Sequence, residues 1–353
     1  MTDDLYGFTV RDGVPYLVLS PGEAAEIDDV VSAAGAAASG PYEDEFHRLA
    51  ALTRLLPARV FDAVQRFRVT GKPYGGFVLS GLALDEARLG PTPSAYAYEA
   101  PAPAVKAADI LLLLLGSLLG HPFSFATQQR GRLVLDVFPV RGHEEQQLGS
   151  SSTVDLEWHN EDAFHTHRAD WIMLLCLRNP YGAATTFAPA HDLDVPEPSR
   201  RTLFEKRFVI FPDESHSAAF NEKTTGIEDG SEFTEAFRKV AELGAGRKFI
   251  SILSGDPAAP FIRMDQAFIQ RELDPQADGA LDDIAAAVEK RLVDVVLDPG
   301  DVLVIDNKRA VHGRRPFVAR YDGSDRWLKR ANLTSDLRGS EGMRSGAHGR
   351  AIA

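Results

Sequence analysis

Apolar positions along this chain follow two different periods, and the change falls near residue 120. Before it the spacing is mostly helical. Pro21 to Ala38 is alanine-rich and opens on a Ser-Pro pair, where the fixed φ of proline suits a first helical turn. Asp44 to Leu55 and Pro57 to Phe67 carry apolar residues at helical spacing, and Val105 to Leu119 reads as a buried helix. Gly75 to Leu84 reads instead as a strand leaving a turn. From about Phe123 the runs become short and are separated by turn residues. They are Arg132 to Val140, Ile172 to Leu177, Thr185 to Phe187, Phe208 to Phe211, Phe249 to Leu253, Phe261 to Met264 and Val302 to Ile305. This spacing predicts an antiparallel sandwich or barrel of the jelly-roll kind rather than alternating βαβ units.

Two helices are expected to interrupt the strands, around Phe233 to Leu243 and Leu281 to Leu297. The polar segment from Pro212 to Phe233 has no periodicity and reads as a lid over the sheet or as an ordinary surface excursion. The last 17 residues, from Leu337, are rich in Gly, Arg and Ser and are expected to be partly disordered. No repeat or Pro/Gly/Ser-rich linker divides the chain. The expectation is one mainly β domain with added helices (α+β): a helix-rich part over 1–120, a jelly-roll core over 121–336 and a flexible tail over 337–353.

Composition narrows the function classes. Hydrophobic residues make up 44% of the 353 and charged residues 25%, enough for a substantial core in a soluble protein. Acidic residues outnumber basic ones 51 to 38, and a formal charge of -13 repels phosphate backbones, so no nucleic-acid partner is expected. The longest apolar run, Ile110 to Leu119, is shorter than the roughly 20 residues a bilayer requires. The start MTDDLYGF is acidic and lacks the apolar stretch of a signal peptide. A lone cysteine, Cys176, makes no internal disulfide, sits in an apolar run and reads as a small buried hydrophobe. Together these features place the protein in the cytoplasm as an expectation, with a small molecule as its partner.

The candidate chemistry lies in LEWHNEDAF, where His159 and Glu161 are two apart. In an extended segment side chains at i and i+2 face the same side, so both can reach one ion. Asp162 is a competing carboxylate, but its i+3 position points away from His159 in a strand. His312 ends DVLVIDNKRAVH, which reads as a strand and then a turn. Two histidines and one carboxylate on one face of an octahedron leave three positions open. Non-haem Fe(II) oxygenases use that arrangement for a bidentate cosubstrate and then O2. His143, His165, His167 and His191 read as surface or supporting histidines.

Arg326 and Arg330 follow in RYDGSDRWLKRAN. A 2-oxoglutarate enzyme requires a fixed guanidinium for the distal carboxylate of its cosubstrate, which arginine binds in bidentate form. An arginine-rich, solvent-facing strand accounts for the same spacing. A zinc hydrolase also uses three such ligands with one open position, but the chain lacks His-Glu-x-x-His and carries two arginines after the distal histidine. A non-catalytic barrel would bind ligand and form no succinate.

The stretches ATQQRGRLVLDVFP, SSSTVDLEWHNEDAFHTHRADW, CLRNPYGAATTFA, FPDESH, IDNKRAVHGRRPF and RYDGSDRWLKR resemble the clavaminate synthase-like oxygenases, most closely their arginine hydroxylases. The resemblance runs from about Leu84 to Leu337. It implies a double-stranded β-helix core, Fe(II) held by His159, Glu161 and His312, and 2-oxoglutarate and O2 as cosubstrates. Arg326 would pair with the distal carboxylate of 2-oxoglutarate, helped by a hydroxyl of Thr185 or Thr186. Arg330 would hold the substrate carboxylate, Gln128 would lie near its α-amino group, and Asp213 and Ser215 would belong to the lid. The implied reaction is hydroxylation of a free L-amino acid at carbon 3 or 4, with desaturation open to the same chemistry, in the making of a peptide natural product.

The departures cluster where the substrate side chain would end. Arginine hydroxylases clamp the guanidinium with two aspartates one residue apart; the matching stretch here, IRMDQAF, keeps Asp265 and has Ala267 in the second place. Upstream of the metal motif, serine and leucine positions become Gly149 and Gln147. Breaking a buried charge pair costs about 3–5 kcal/mol, whereas a ureido group is neutral and of the same shape. It would fit one carboxylate and an amide such as Gln147 or Gln266. The sequence therefore favours L-citrulline as substrate, with L-arginine as the alternative and Asp155 or Glu214 as acids available to take the missing place.

Overall fold

The computed structural model describes residues 7–37, 46–73, 75–96, 100–225, 233–272, 274–345 and 349–353. Its first part contains strands β1 (Thr9–Arg11), β2 (Val14–Val18) and β3 (Gly76–Ser80), and helices α1 (Pro21–Ala37), α2 (Phe46–Leu52), α3 (Ala58–Thr70), α4 (Glu86–Leu89) and α5 (Pro103–Gly116). Then come β4 (His121–Phe125), β5 (Val134–Val137), β6 (Leu156–His159), β7 (Trp171–Arg178), β8 (Thr185–Pro189), α6 (Glu197–Leu203), α7 (Ala218–Thr225) and α8 (Thr234–Ala245). The last part holds β9 (Leu253–Ser254), β10 (Phe261–Ile262), α9 (Pro275–Glu289), β11 (Val293–Val295), β12 (Val302–Asp306), β13 (Ala310–Arg314), β14 (Trp327–Thr334), β15 (Arg344–Ser345) and β16 (Ala351–Ile352).

Two sheets form the core. The larger runs β1-β2-β3-β12-β7-β14-β4-β16-β15, with β5 on β14; the smaller runs β11-β8-β13-β6. Alternation along β7 shows how the layers are built. Ile172, Leu174 and Cys176 point inward and meet Phe187 and Ala310 of the small sheet. Met173, Leu175 and Leu177 point outward against the leucines of α5. The outer face of the small sheet, through Trp158, Ala188 and Val311, packs on Leu281, Ile284 and Val288 of α9. Each sheet is thus buried on both faces, so its strands read as continuous apolar runs rather than as strict alternation. This is the jelly-roll-like core expected, with helices outside it.

On the outward face of β14 lies a buried ion cluster. Lys329, 2% exposed, sits between Asp109 of α5 at 3.1 Å and its cross-strand neighbour Asp136 at 2.8 Å. Its two carboxylates raise the Lys329 pKa against the opposing effect of burial. Lys329 and Arg330, adjacent in sequence, therefore face opposite layers. That alternation delivers Arg330 to the interior between the sheets.

Four expectations change. The first 120 residues, helix-rich as expected, also hold two strands not foreseen, β1 and β2, which extend the sheet through β3 and its partner β12. The helix expected over Leu281 to Leu297 starts earlier, because the Asp274 side chain caps Ala277 N–H at 2.9 Å and Pro275 opens the first turn. It ends at Glu289, and Val293–Val295 pairs with β8 instead. The turn expected before His312 is followed by a strand, β13, with His312 at its centre. Finally, the described part of the tail is built into the fold: Leu337–Met343 forms a 3-10 segment, and β16 adds to β4 with Ala351 and Ile352 buried. Apolar residues at the chain end thus bury themselves despite the polar composition before them. Of the lid segment, residues 226–232 lie outside the described residues.

Candidate active site

The open end of the sandwich is a cavity lined from both sheets. From the small sheet it receives His159 and Glu157 of β6, Thr185 of β8, and His312 and Arg314 of β13; Arg330 of β14 enters from the large sheet, with Arg326 just before that strand. Strand alternation makes these selections. His312 lies opposite His159 in the β13–β6 register and opposite Phe187 in β8, whereas Arg314 lies opposite Thr185. Thr186 pairs with Gly313 and so shares the opposite face. Of the two threonines named from the sequence, only Thr185 lines the cavity. It accepts a hydrogen bond from Arg326 Nη2 at 2.8 Å.

His159, Glu161 and His312 converge, with one candidate ligand atom from each lying within 4.8 Å of the others. His312 Nε2 stands 3.7 Å from Glu161 Oε2, and the two imidazole centroids are 4.5 Å apart. Nδ1 of His159 donates to the Glu157 carbonyl at 2.8 Å, which leaves Nε2 as the free donor atom. Burial holds the His312 pKa well below its usual value, so the ring is neutral, the form a metal requires. Two imidazoles and a carboxylate fit Fe(II). Asp162 does turn away. It adopts φ 51°, reversing the chain after Glu161, and accepts from His216 Nε2 at 2.9 Å and Asn332 Nδ2 at 3.3 Å.

Around this triad the cavity divides by charge. Arg326 is 6% exposed and has no carboxylate partner among the described residues. Burial lowers its pKa to about 10. Arg314, which sequence reasoning missed, lies on the same side; it donates to the carbonyls of Ser152 at 3.1 Å and Arg315 at 3.0 Å and to Ser151 Oγ at 2.7 Å. The signal was present in HGRRPF, since Arg314 is two residues beyond His312 and shares its face in a strand. Arg330 sits between Glu161 Oε1, at 2.5 Å, and Gln128 Oε1, at 3.1 Å. Gln128 in turn donates to Ser215 Oγ at 3.1 Å.

The lid residues named from sequence, Asp213 and Ser215, both line the cavity. Asp213 precedes and Ser215 lies within a 3-10 turn, Glu214–His216, whose cap is the Asp213 side chain accepting from Ser215 N–H at 2.8 Å. His216 was also overlooked. It is fully buried between Phe125 and Phe164 and joins Thr127 Oγ1, at 2.6 Å, to Asp162. At the remaining end stand Asp265 and Ala267, both in the cavity wall. Enclosure pushes the Asp265 carboxyl up to about 7, and nearby Asp213 adds to the rise. Gln147 is there too, but its amide is engaged with the backbone, donating to Asp155 O at 3.0 Å and accepting from Glu157 N–H at 2.9 Å.

Residues 103–332 match the taurine catabolism dioxygenase TauD, TfdA family. The chain belongs to that family. Relatives of this chain include the enduracididine beta-hydroxylase of Streptomyces hygroscopicus, 40% identical over 84% of this chain and 87% of its own. The L-ornithine/L-arginine 3-hydroxylase of Catenulispora acidiphila matches to the same extent. Among solved structures, the non-heme iron oxygenase OrfP in complex with Fe, succinate and (3S)-hydroxy-L-Arg superposes with a TM-score of 0.90 at 38% identity, covering 96% of this chain and 100% of that one. OrfP in complex with Fe and alpha-ketoglutaric acid gives a TM-score of 0.83. The chain is a non-haem iron, 2-oxoglutarate-dependent dioxygenase of the TauD/TfdA family, with the clavaminate synthases among its relatives. No helix among the described residues is long and apolar enough to cross a membrane.

Proposed function

We propose that this dioxygenase hydroxylates carbon 3 or 4 of a free L-amino acid whose side chain ends in a guanidinium, L-arginine foremost. The observation that carries the substrate reading is the acidic end of the cavity. Asp265 has no Lys or Arg partner among the described residues and faces Asp213. A guanidinium brings a fixed positive charge and five donors to that end; a neutral ureido group would bring no charge to Asp265, whereas Asp213 already has His216 Nε2 at 3.9 Å. The relatives named for arginine, ornithine and enduracididine support the same choice.

In this reading His159, Glu161 and His312 hold Fe(II). Bound iron supplies O2 activation, coupling the decarboxylation of 2-oxoglutarate to succinate and CO2 with insertion of one oxygen atom into a substrate C–H bond. Arg326 and Thr185 receive the distal carboxylate of 2-oxoglutarate. Arg330 turns from Glu161 to the substrate carboxylate, and Gln128 orients the α-amino group. Asp213 and Ser215 close over the substrate and exclude water. Pinning the amino acid at both ends presents its central methylenes to the metal, and such positioning is the main contribution a protein makes to this chemistry.

Ala267, in place of a second aspartate, favours the competing citrulline reading. The two separate in one experiment: purified enzyme with Fe(II), 2-oxoglutarate, ascorbate and air, offered L-arginine and L-citrulline in parallel. The expected result is a gain of one oxygen mainly in arginine. Product mainly from citrulline overturns the guanidinium reading and leaves the enzyme class intact.

A further inference from the structure

The ladder that aligns the two histidines stops short of the third ligand. His159 ends β6 and lies opposite His312 in β13, whereas Glu161 falls beyond the strand, just before the chain reverses at Asp162. A side chain takes over where the strand ends. Asn307, in the turn between β12 and β13, accepts from Glu161 N–H through Oδ1 at 2.7 Å and donates through Nδ2 to the Glu161 carbonyl at 3.1 Å. Its second amide proton goes to Ala169 O at 3.0 Å. Asn307 is fully buried, and its amide protons and oxygen are all matched to main chain, the condition under which burying an amide costs little. Asn160, between the two ligands in sequence, makes the reciprocal connection. It donates to Asn307 O and Ala310 O, each at 2.8 Å, and accepts from Met264 N–H at 2.8 Å. The turn leading into His312 and the turn following His159 are thus cross-linked in both directions.

We propose that Asn307 is a positioning residue for the iron site: it fixes the Glu161 backbone before the metal arrives, so that the carboxylate stands ready beside His312. Asparagine suits the place chemically. Aspartate there would aim a second acceptor at two carbonyls, and alanine would leave the Glu161 N–H and C=O without their partner inside a buried segment. The hold matters because the carboxylate has a competing attraction. Glu161 lies 2.5 Å from Arg330 and 3.7 Å from His312 Nε2, and a loosened backbone leaves the ion pair with Arg330 free to draw it from the metal position. This inference rests on His159, Glu161 and His312 as the iron ligands, which iron binding by Glu161→Gln tests by itself.

The test measures Fe(II) binding by anaerobic calorimetry on metal-free wild type, Asn307→Asp, Asn307→Ala and Asn179→Ala, with the melting point of each metal-free protein. Asn179 is the control, tying the turn between β7 and β8 in the same manner away from the cavity. It accepts from Ala183 N–H at 2.9 Å and donates to the Ala183 and Leu297 carbonyls, each at 3.1 Å. Both Asn307 variants are expected to weaken iron binding by about 10–100-fold, the range for groups that support a metal ligand. Asn179→Ala is expected to lower the melting point and leave iron affinity unchanged. Wild-type affinity in a folded Asn307 variant, or an equal loss in Asn179→Ala, would overturn the role. Residue-resolved amide exchange on wild type decides the matter even where a variant does not fold, and it needs no metal. The Glu161 N–H is expected to exchange as slowly in the metal-free protein as the paired amides of β13. Protection that appears only once Fe(II) is bound would mean that the metal, rather than Asn307, fixes the residue, and would overturn the proposal.

Discussion

Glu161→Gln is expected to lower turnover by more than about 100-fold and to weaken Fe(II) binding in parallel, because altering even a group that supports a metal ligand costs about 10–100-fold. The variant keeps the side chain's shape and removes its charge. That charge serves two neighbours: it lies 3.7 Å from His312 Nε2 and 2.5 Å from Arg330 Nη1. Without it the site has two imidazoles beside an uncompensated guanidinium, an arrangement that repels a divalent cation. Iron affinity measured by calorimetry on the metal-free protein reads this directly. Wild-type affinity in Glu161→Gln would remove Glu161 from the ligand set, leaving Asp162 or Asp265 to be tested in its place.

The second large effect concerns Arg326 and has two signs. Its guanidinium is buried, hydrogen-bonded to Thr185 and without a carboxylate partner among the described residues, and Arg314 beside it adds a second positive charge. Such a charge is costly to bury alone and is neutralised only by an arriving anion. Arg326→Gln should therefore raise KM for 2-oxoglutarate at least about 30-fold, since truncating one partner of a buried charged pair costs about 2–5 kcal/mol. The ligand-free variant should melt no lower than wild type, and added 2-oxoglutarate should stabilise it less. A lower melting point in the ligand-free variant, with KM unchanged, would make Arg326 a structural residue and move the cosubstrate elsewhere.

Much of this arrangement was legible in the sequence because it depends on short-range periodicity. His159 closes β6 and Glu161 follows in the turn just beyond it, still close enough to share one ion, and the apolar runs at 172–177 and 302–305 are strands buried on both faces. The Arg326/Arg330 spacing likewise brought both guanidiniums to the cavity. What local pattern could not supply was pairing between distant segments. The strands β1 and β2 read as an unremarkable N-terminus until β3 and β12 provide an edge to join. Thr185 and Thr186 are indistinguishable in composition, and only the register with Arg314 and Gly313 chooses between them. His216 looked like one residue of a polar loop; its partners, Thr127 and Asp162, come from 89 and 54 positions away.

The most direct measurement is turnover of L-arginine under 18O2 with Fe(II) and 2-oxoglutarate, followed by mass analysis of both products. The account predicts equimolar succinate and hydroxyarginine, each carrying one 18O atom. Labelled succinate formed beside unchanged arginine would contradict it.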